Sequence, residues 1–191
     1  YTGLVEVGAG VIPGGGGTKE FALRLSDETF EGDIELPSLR NKFLTIGMAK
    51  VSTSAAEAFD LGFYKKGRDK FVVNQDRQIA EAKTAVLDMA NAGYTRPVER
   101  KNIRVLGRQG LGMVYAGAYT MYSGKYISEH DKLISEKLGY VLCGGDLSNK
   151  TLVSEQYLLN LEREAFLSLL GEKKTLERIQ SILTTGKPLR N

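Results

Sequence analysis

Between Gly8 and Gly17 the chain runs Gly-Ala-Gly-Val-Ile-Pro-Gly-Gly-Gly-Gly. No helix or strand interior tolerates that density of glycine, because glycine gives up more backbone freedom on folding than any other residue. The stretch is therefore a loop, and its flanks say where it sits. Residues 1–7, Tyr-Thr-Gly-Leu-Val-Glu-Val, alternate loosely and predict a strand. Thr18–Leu25 predicts a short helix with Thr18 as its cap. A strand, a glycine-rich turn and a helix N-terminus together let backbone N–H groups approach a ligand with no Cβ in the way.

Residue order sets two nucleotide-binding frames aside. A phosphate-binding P-loop needs Gly-Lys-Ser/Thr, so that lysine and hydroxyl reach phosphate and magnesium in that order. This chain has Gly17-Thr18-Lys19 instead. A dinucleotide fingerprint could begin at Gly8-Ala9-Gly10, but its third glycine falls on Pro13. Proline there prevents the close helix–strand packing that the third glycine serves.

Composition narrows the function further. The 191 residues are 42% hydrophobic and 26% charged, an ordinary globular balance. A formal net charge of +3 with no concentrated basic stripe argues against nucleic acid. One cysteine, Cys143, rules out an intrachain disulfide, and with one histidine, His130, it leaves no zinc site of the usual His/Cys kind. Both suit a cytoplasmic setting. Tyr1–Glu20 lacks the form of a signal peptide, and no run is long and apolar enough to span a membrane. A start at Tyr1 without Met reads as a fragment.

The rest of the chain reads as mostly α. Pro37 suits the first turn of a helix over Ser38–Lys50. Ser54 and Glu57 form a capping-box signature for a helix ending at Gly62. Phe71–Val73 predicts a short strand. Gln75–Asn91 predicts a helix with Ile79, Ala82, Val86 and Met89 on one face. Thr95–Arg104 reads as a linker. Helices are then expected over Leu111–Tyr122, Ser128–Leu142, Leu152–Leu170 and Thr175–Thr184, the last stopping at Gly186 and Pro188. Tyr115, Tyr119 and Tyr122 share a helix face and are expected in the core or at a helix interface. His130 is expected at the surface beside a cap, and Lys173 and Lys174 as solvated charges.

Three stretches resemble the crotonase (enoyl-CoA hydratase/isomerase) superfamily. Gly3–Thr18 is similar to its active-site segment: a carboxylate, a glycine four residues later, then Ile-Pro-Gly-x-Gly-Gly-Thr. Ser54–Phe63, Ser-Ala-Ala-Glu-Ala-Phe-Asp-Leu-Gly-Phe, is similar to the family's Ser-Ala-x-Glu-Ala helix. Glu162–Pro188, ending Thr-Gly-Lys-Pro, resembles its terminal helix and tail. The opening and the ending also look like the C-terminal end of bacterial 3-hydroxyacyl-CoA dehydrogenases with a fused hydratase-like domain.

The resemblance implies the C-terminal, largely helical part of a crotonase-like (ClpP/crotonase-like) α/β domain, with helical extensions. Residues 1–94 would be core with the active-site loop and residues 95–191 a helical subdomain. Glu6 would supply the proton at the α-carbon of an acyl-CoA thioester, from an apolar setting that raises its pKa. Gly14 would help hold the water through its backbone, and Lys187 would lie near the CoA phosphates. The family's other carboxylate and both oxyanion donors lie before the segment that opens this chain, so the chain is expected to be inactive alone. NAD would bind in the N-terminal region of a parent enzyme, not here. A homo-oligomer through the C-terminal helices is a further expectation. The stretch 27–51 is longer than the family's usual link. The alternative is a non-catalytic helical binding or assembly module.

Overall fold

The computed structural model describes all 191 residues and is mostly helical. In chain order it runs β1 (Thr2–Gly3), a 3₁₀ turn (Glu6–Ala9), α1 (Gly17–Glu28), α2 (Glu35–Gly47), β2 (Val51–Ser52) and α3 (Ala55–Asp60). A second 3₁₀ turn (Gln75–Arg77) leads into α4 (Gln78–Asn91) and β3 (Ile103–Val105). Then come α5 (Arg108–Ser123), α6 (Glu129–Leu142), β4 (Thr151–Val153), α7 (Glu155–Leu170) and α8 (Lys173–Thr185). The chain divides into two compact units, Tyr1–Thr2 with Ser52–Val98, and Gly3–Val51 with Glu99–Asn191.

In the larger unit α1 is central and packs against α2, β3, α6 and α7. Its Phe21, Ala22 and Leu25 are buried. They meet a core drawn from Leu39 and Ile46 of α2, Ile134, Leu138 and Leu142 of α6, and Leu158, Ala165 and Leu169 of α7. Each such large side chain contributes about 1.5–3 kcal/mol relative to exposure. The α5–α6 pair is the most extensive helix contact. Gly139 permits it, because a Cβ there would overlap Val114. β3 and β4 pair antiparallel, with Arg104 opposite Leu152.

The smaller unit has almost no core. Ser52 and Ala58 are its buried residues. Ser54 caps α3 by accepting from Glu57 N–H, while the Glu57 carboxylate reaches past the cap to Thr53 N–H at 2.6 Å. The sequence signature therefore marks the right helix but closes one residue wider than a capping box.

Several expectations need correction. The strand over residues 1–7 is reduced to Thr2–Gly3, and Phe71–Val73 forms no strand. Thr95–Arg104 is not wholly a linker, since Ile103 and Val105 sit on β3 with their side chains buried. Ile79, Ala82, Val86 and Met89 do line one face of α4, but that face is exposed, Ile79 at 85%. Tyr115, Tyr119 and Tyr122 are exposed as well, because α5 turns Leu111, Val114 and Ala118 inward. The stretch 27–51 is filled mainly by α2, which starts at Glu35, two residues before Pro37.

Candidate functional site

Glu6 opens the first 3₁₀ turn rather than ending a strand. Its carboxylate Oε2 is buried and has no hydrogen-bond partner. Burial of an unpaired carboxylate oxygen is costly and seldom kept without a use. Val7 beside it is buried, as are Val11 and Ile12 after the turn. An open cavity of about 830 Å³ touches Val7 and is walled by Phe43, Leu44, Met48, Met121 and Tyr126, with Arg190 among its polar residues.

The Glu6 turn closes on Gly10. Gly10 N–H donates back to the carbonyls of Val7 and Glu6, and Gly10 takes a left-handed φ of 92°. A side chain there would be strained, and it would also strike Thr175 Oγ1 at 2.9 Å. Thr175 uses that closeness and donates its hydroxyl to Gly10 O at 2.7 Å. The same hydroxyl oxygen lies 2.9 Å from His130 Nε2. His130 is thus not a surface residue: it is 3% exposed, and its imidazole is buried against α8. Burial, together with the Arg178 charge, holds the imidazole below its ordinary value.

The far end of the glycine run is held by α7. Glu162, 1% exposed, accepts from Gly16 N–H at 2.6 Å and from Lys19 N–H at 2.9 Å. It supplies the cap that α1 lacks from its own Gly16. Thr18, expected as the cap, lies inside α1 and turns its hydroxyl back to Pro13 O at 3.5 Å. The positive end of α1 therefore already carries a carboxylate from within the chain. Burial pushes the Glu162 carboxyl above its ordinary value, against the pull of hydrogen bonds from Lys19, Gly16 and Thr18. One helical turn further along α7, Phe166 packs on Gly14, and a Cβ at that glycine would fall 2.7 Å from its ring.

The candidate residues are thus unequal. Glu6 and Gly14 lie at the two ends of one tightly held loop. Lys187 lies past the end of α8 and is exposed, and its backbone binds Thr185 and Ser181. Sequence reasoning missed Glu162, Thr175 and His130 as supports of the loop. No local signal marks them, since Glu162 meets Gly16 across 146 positions of sequence and Thr175 meets Gly10 across 165. The glycines themselves were the one available hint, because a position that excludes a Cβ implies a close neighbour.

The chain is similar from end to end to a probable 3-hydroxyacyl-CoA dehydrogenase of Bacillus subtilis (strain 168). The two are 44% identical over 191 residues, which is 100% of this chain and 24% of that relative. The chain thus spans about a quarter of the length of the curated relative it matches. No family model and no solved structure matches it. No helix is long and apolar enough to cross a membrane, and no cluster of His, Cys, Asp and Glu could hold a metal ion.

Proposed function

We propose that this chain is the acid-bearing, C-terminal part of a crotonase-like domain within a longer fatty-acid β-oxidation enzyme that acts on acyl-CoA thioesters. The observation that carries the reading is the end-to-end 44% identity with a quarter of a protein whose name specifies 3-hydroxyacyl-CoA. The buried, unpaired Glu6 carboxylate oxygen on a fixed turn supports it from the geometry.

In this reading water adds across the double bond of a trans-2-enoyl-CoA. The water oxygen bonds to C3 as one of its O–H bonds breaks, that proton passing to the second carboxylate of the longer enzyme, and a proton is delivered to C2, giving the 3-hydroxyacyl-CoA. Glu6 delivers that proton, and the Gly14 backbone helps hold the water. Delivery needs a carboxyl protonated at the moment of transfer. The apolar wall of Phe43, Leu44, Met48 and Met121 beside Val7 suits an acyl chain. Lys187 is a proposed contact for a CoA phosphate. Residues 1–94 carry the active-site loop and residues 95–191 the helices that support it. A dehydrogenase also needs NAD, and the residues here do not fit it, because Pro13 stands where the dinucleotide loop requires glycine. NAD is assigned to the part of the longer enzyme outside this chain.

The test is hydration of crotonyl-CoA by the longer enzyme and by this chain alone. Activity is expected in the longer form only, with Glu6→Gln lowering kcat by about 10²–10⁴. A longer form indifferent to Glu6→Gln overturns the role given to Glu6. A second reading, a helical assembly module, draws on the exposed apolar face of α4. That reading expects no hydration from either form.

A further inference from the structure

Thr175 has one hydroxyl hydrogen and two hydrogen-bond neighbours. One neighbour, Gly10 O, can only accept, and it lies 2.7 Å away. The hydrogen therefore points at Gly10, and the contact with His130 Nε2 at 2.9 Å must run the other way. His130 donates through Nε2–H to Thr175 Oγ1, and Thr175 donates to Gly10 O. The imidazole tautomer follows from this bookkeeping alone.

The direction of the chain matters because of what Gly10 holds. Its N–H donates to Glu6 O and Val7 O, so the peptide units on either side of Gly10 are fixed at both ends. One end closes the turn that carries Glu6. The other is fastened to α8 through Thr175 and then to α6 through His130. Thr175 is fully buried and His130 nearly so. Glu6 itself has no hydrogen bond at Oε2 that could aim it, and the hydrogen bonds that fix its position are those of its backbone turn.

We propose that His130 and Thr175 are a positioning pair, acting in series through Gly10 to set the direction of the Glu6 carboxylate. The proposal rests on the role given to Glu6 above. Neither residue lines the cavity beside Val7. A misplacement of the carboxylate by a fraction of an ångström to one ångström is costly in rate and nearly silent in substrate binding, since remote contacts hold the thioester.

The experiment is steady-state crotonyl-CoA hydration by the longer enzyme carrying Thr175→Val, Thr175→Ser, His130→Phe, His130→Gln, the double Thr175→Val/His130→Phe, and Glu6→Gln. Thermal unfolding of each variant is followed in parallel. Thr175→Val and His130→Phe are expected to lower kcat by about 10–100-fold with little change in KM. Thr175→Ser keeps the hydroxyl and His130→Gln keeps an N–H, so both should retain most of the rate. The double variant should fall no further than Thr175→Val, because the two residues act in series. Additive losses, or an unchanged kcat in Thr175→Val while Glu6→Gln is inactive, overturn the proposal and leave the Glu6 role standing. A harmless Glu6→Gln overturns both. Nitrogen NMR of this chain gives an independent reading, since His130 is its single histidine. A bare Nε2 on the folded protein overturns the proton assignment.

Discussion

Phe166 and Glu162 stand one turn apart on α7 and hold the same glycine run at two points, Phe166 by packing on Gly14 and Glu162 by accepting from Gly16 and Lys19. One contact is apolar and the other charged, and they fail in different ways.

At Gly14 the failure is steric. Gly14→Ala places a methyl 2.7 Å from the Phe166 ring, where something must move. Overpacking of this kind costs about 1–3 kcal/mol. Urea unfolding should show that loss, and Phe166→Leu in the same chain should recover part of it. An unchanged midpoint in Gly14→Ala would mean the ring yields freely.

At Glu162 the failure is polar. Glu162→Gln replaces one acceptor oxygen with an NH₂ group facing a backbone N–H, and leaving such a donor unsatisfied costs about 1–3 kcal/mol. The pH dependence has a definite sign. The folded value of Glu162 is raised from 4.5, by burial above all. Its titration thus contributes stability that is full below the unfolded value and is lost as pH rises through the folded one. Unfolding measured from the ordinary carboxyl value upward should show this slope in the native chain and lose it in Glu162→Gln.

Asp131 titrates in the opposite sense. Arg178, fully buried, donates to Asp131 at 2.8 Å, and Asp131 also closes the capping box with Ser128. Burial alone would raise the carboxyl, but the Arg178 and Ser128 hydrogen bonds and the charges of Arg178 and Arg190 hold it below 3.8. Its stability contribution is present above the unfolded value and is lost as pH falls through the folded one. Arg178→Ala should cost about 1.5–3 kcal/mol, read by denaturant unfolding at neutral pH, because it removes a charge-assisted hydrogen bond from a largely buried carboxylate that then keeps only Ser128 N–H and the exposed Arg190. The cost should shrink in acid as Asp131 becomes protonated.

Cys143 should be inert in the folded chain. It is fully buried at the end of α6, and burial pushes its thiol up to about 12. Alkylation by iodoacetamide at neutral pH should be negligible until denaturant is added. Rapid labelling of the native chain would place the thiol at an accessible site.

Where a helix end is set by neighbours in sequence, the sequence shows it. Ser54 and Glu57, Ser128 and Asp131, and the left-handed Gly186 all act within four residues of the helix they bound, and all three ends fall close to where those residues put them. The loop was legible for the same reason, since its glycines constrain their own backbone. What surrounds the loop was not. Thr18 has the chemistry of a cap and loses the role to Glu162, which arrives from a distant helix. His130 follows a cap, an exposed position in most helices, yet α8 packs across it. The apolar face of α4 was read correctly as a pattern, but periodicity says that a face is suited to burial and not what buries it.

The long span between Gly16 and Glu162 also has a consequence in time. Gly16 leaves the ribosome 146 residues before its partner. At ordinary rates of synthesis that is about 7–30 s. Through that interval the loop bearing Glu6 has neither its cap nor its threonine anchor. It is made well before the residues that secure it, so damage at Glu162 or Thr175 should be felt at Glu6.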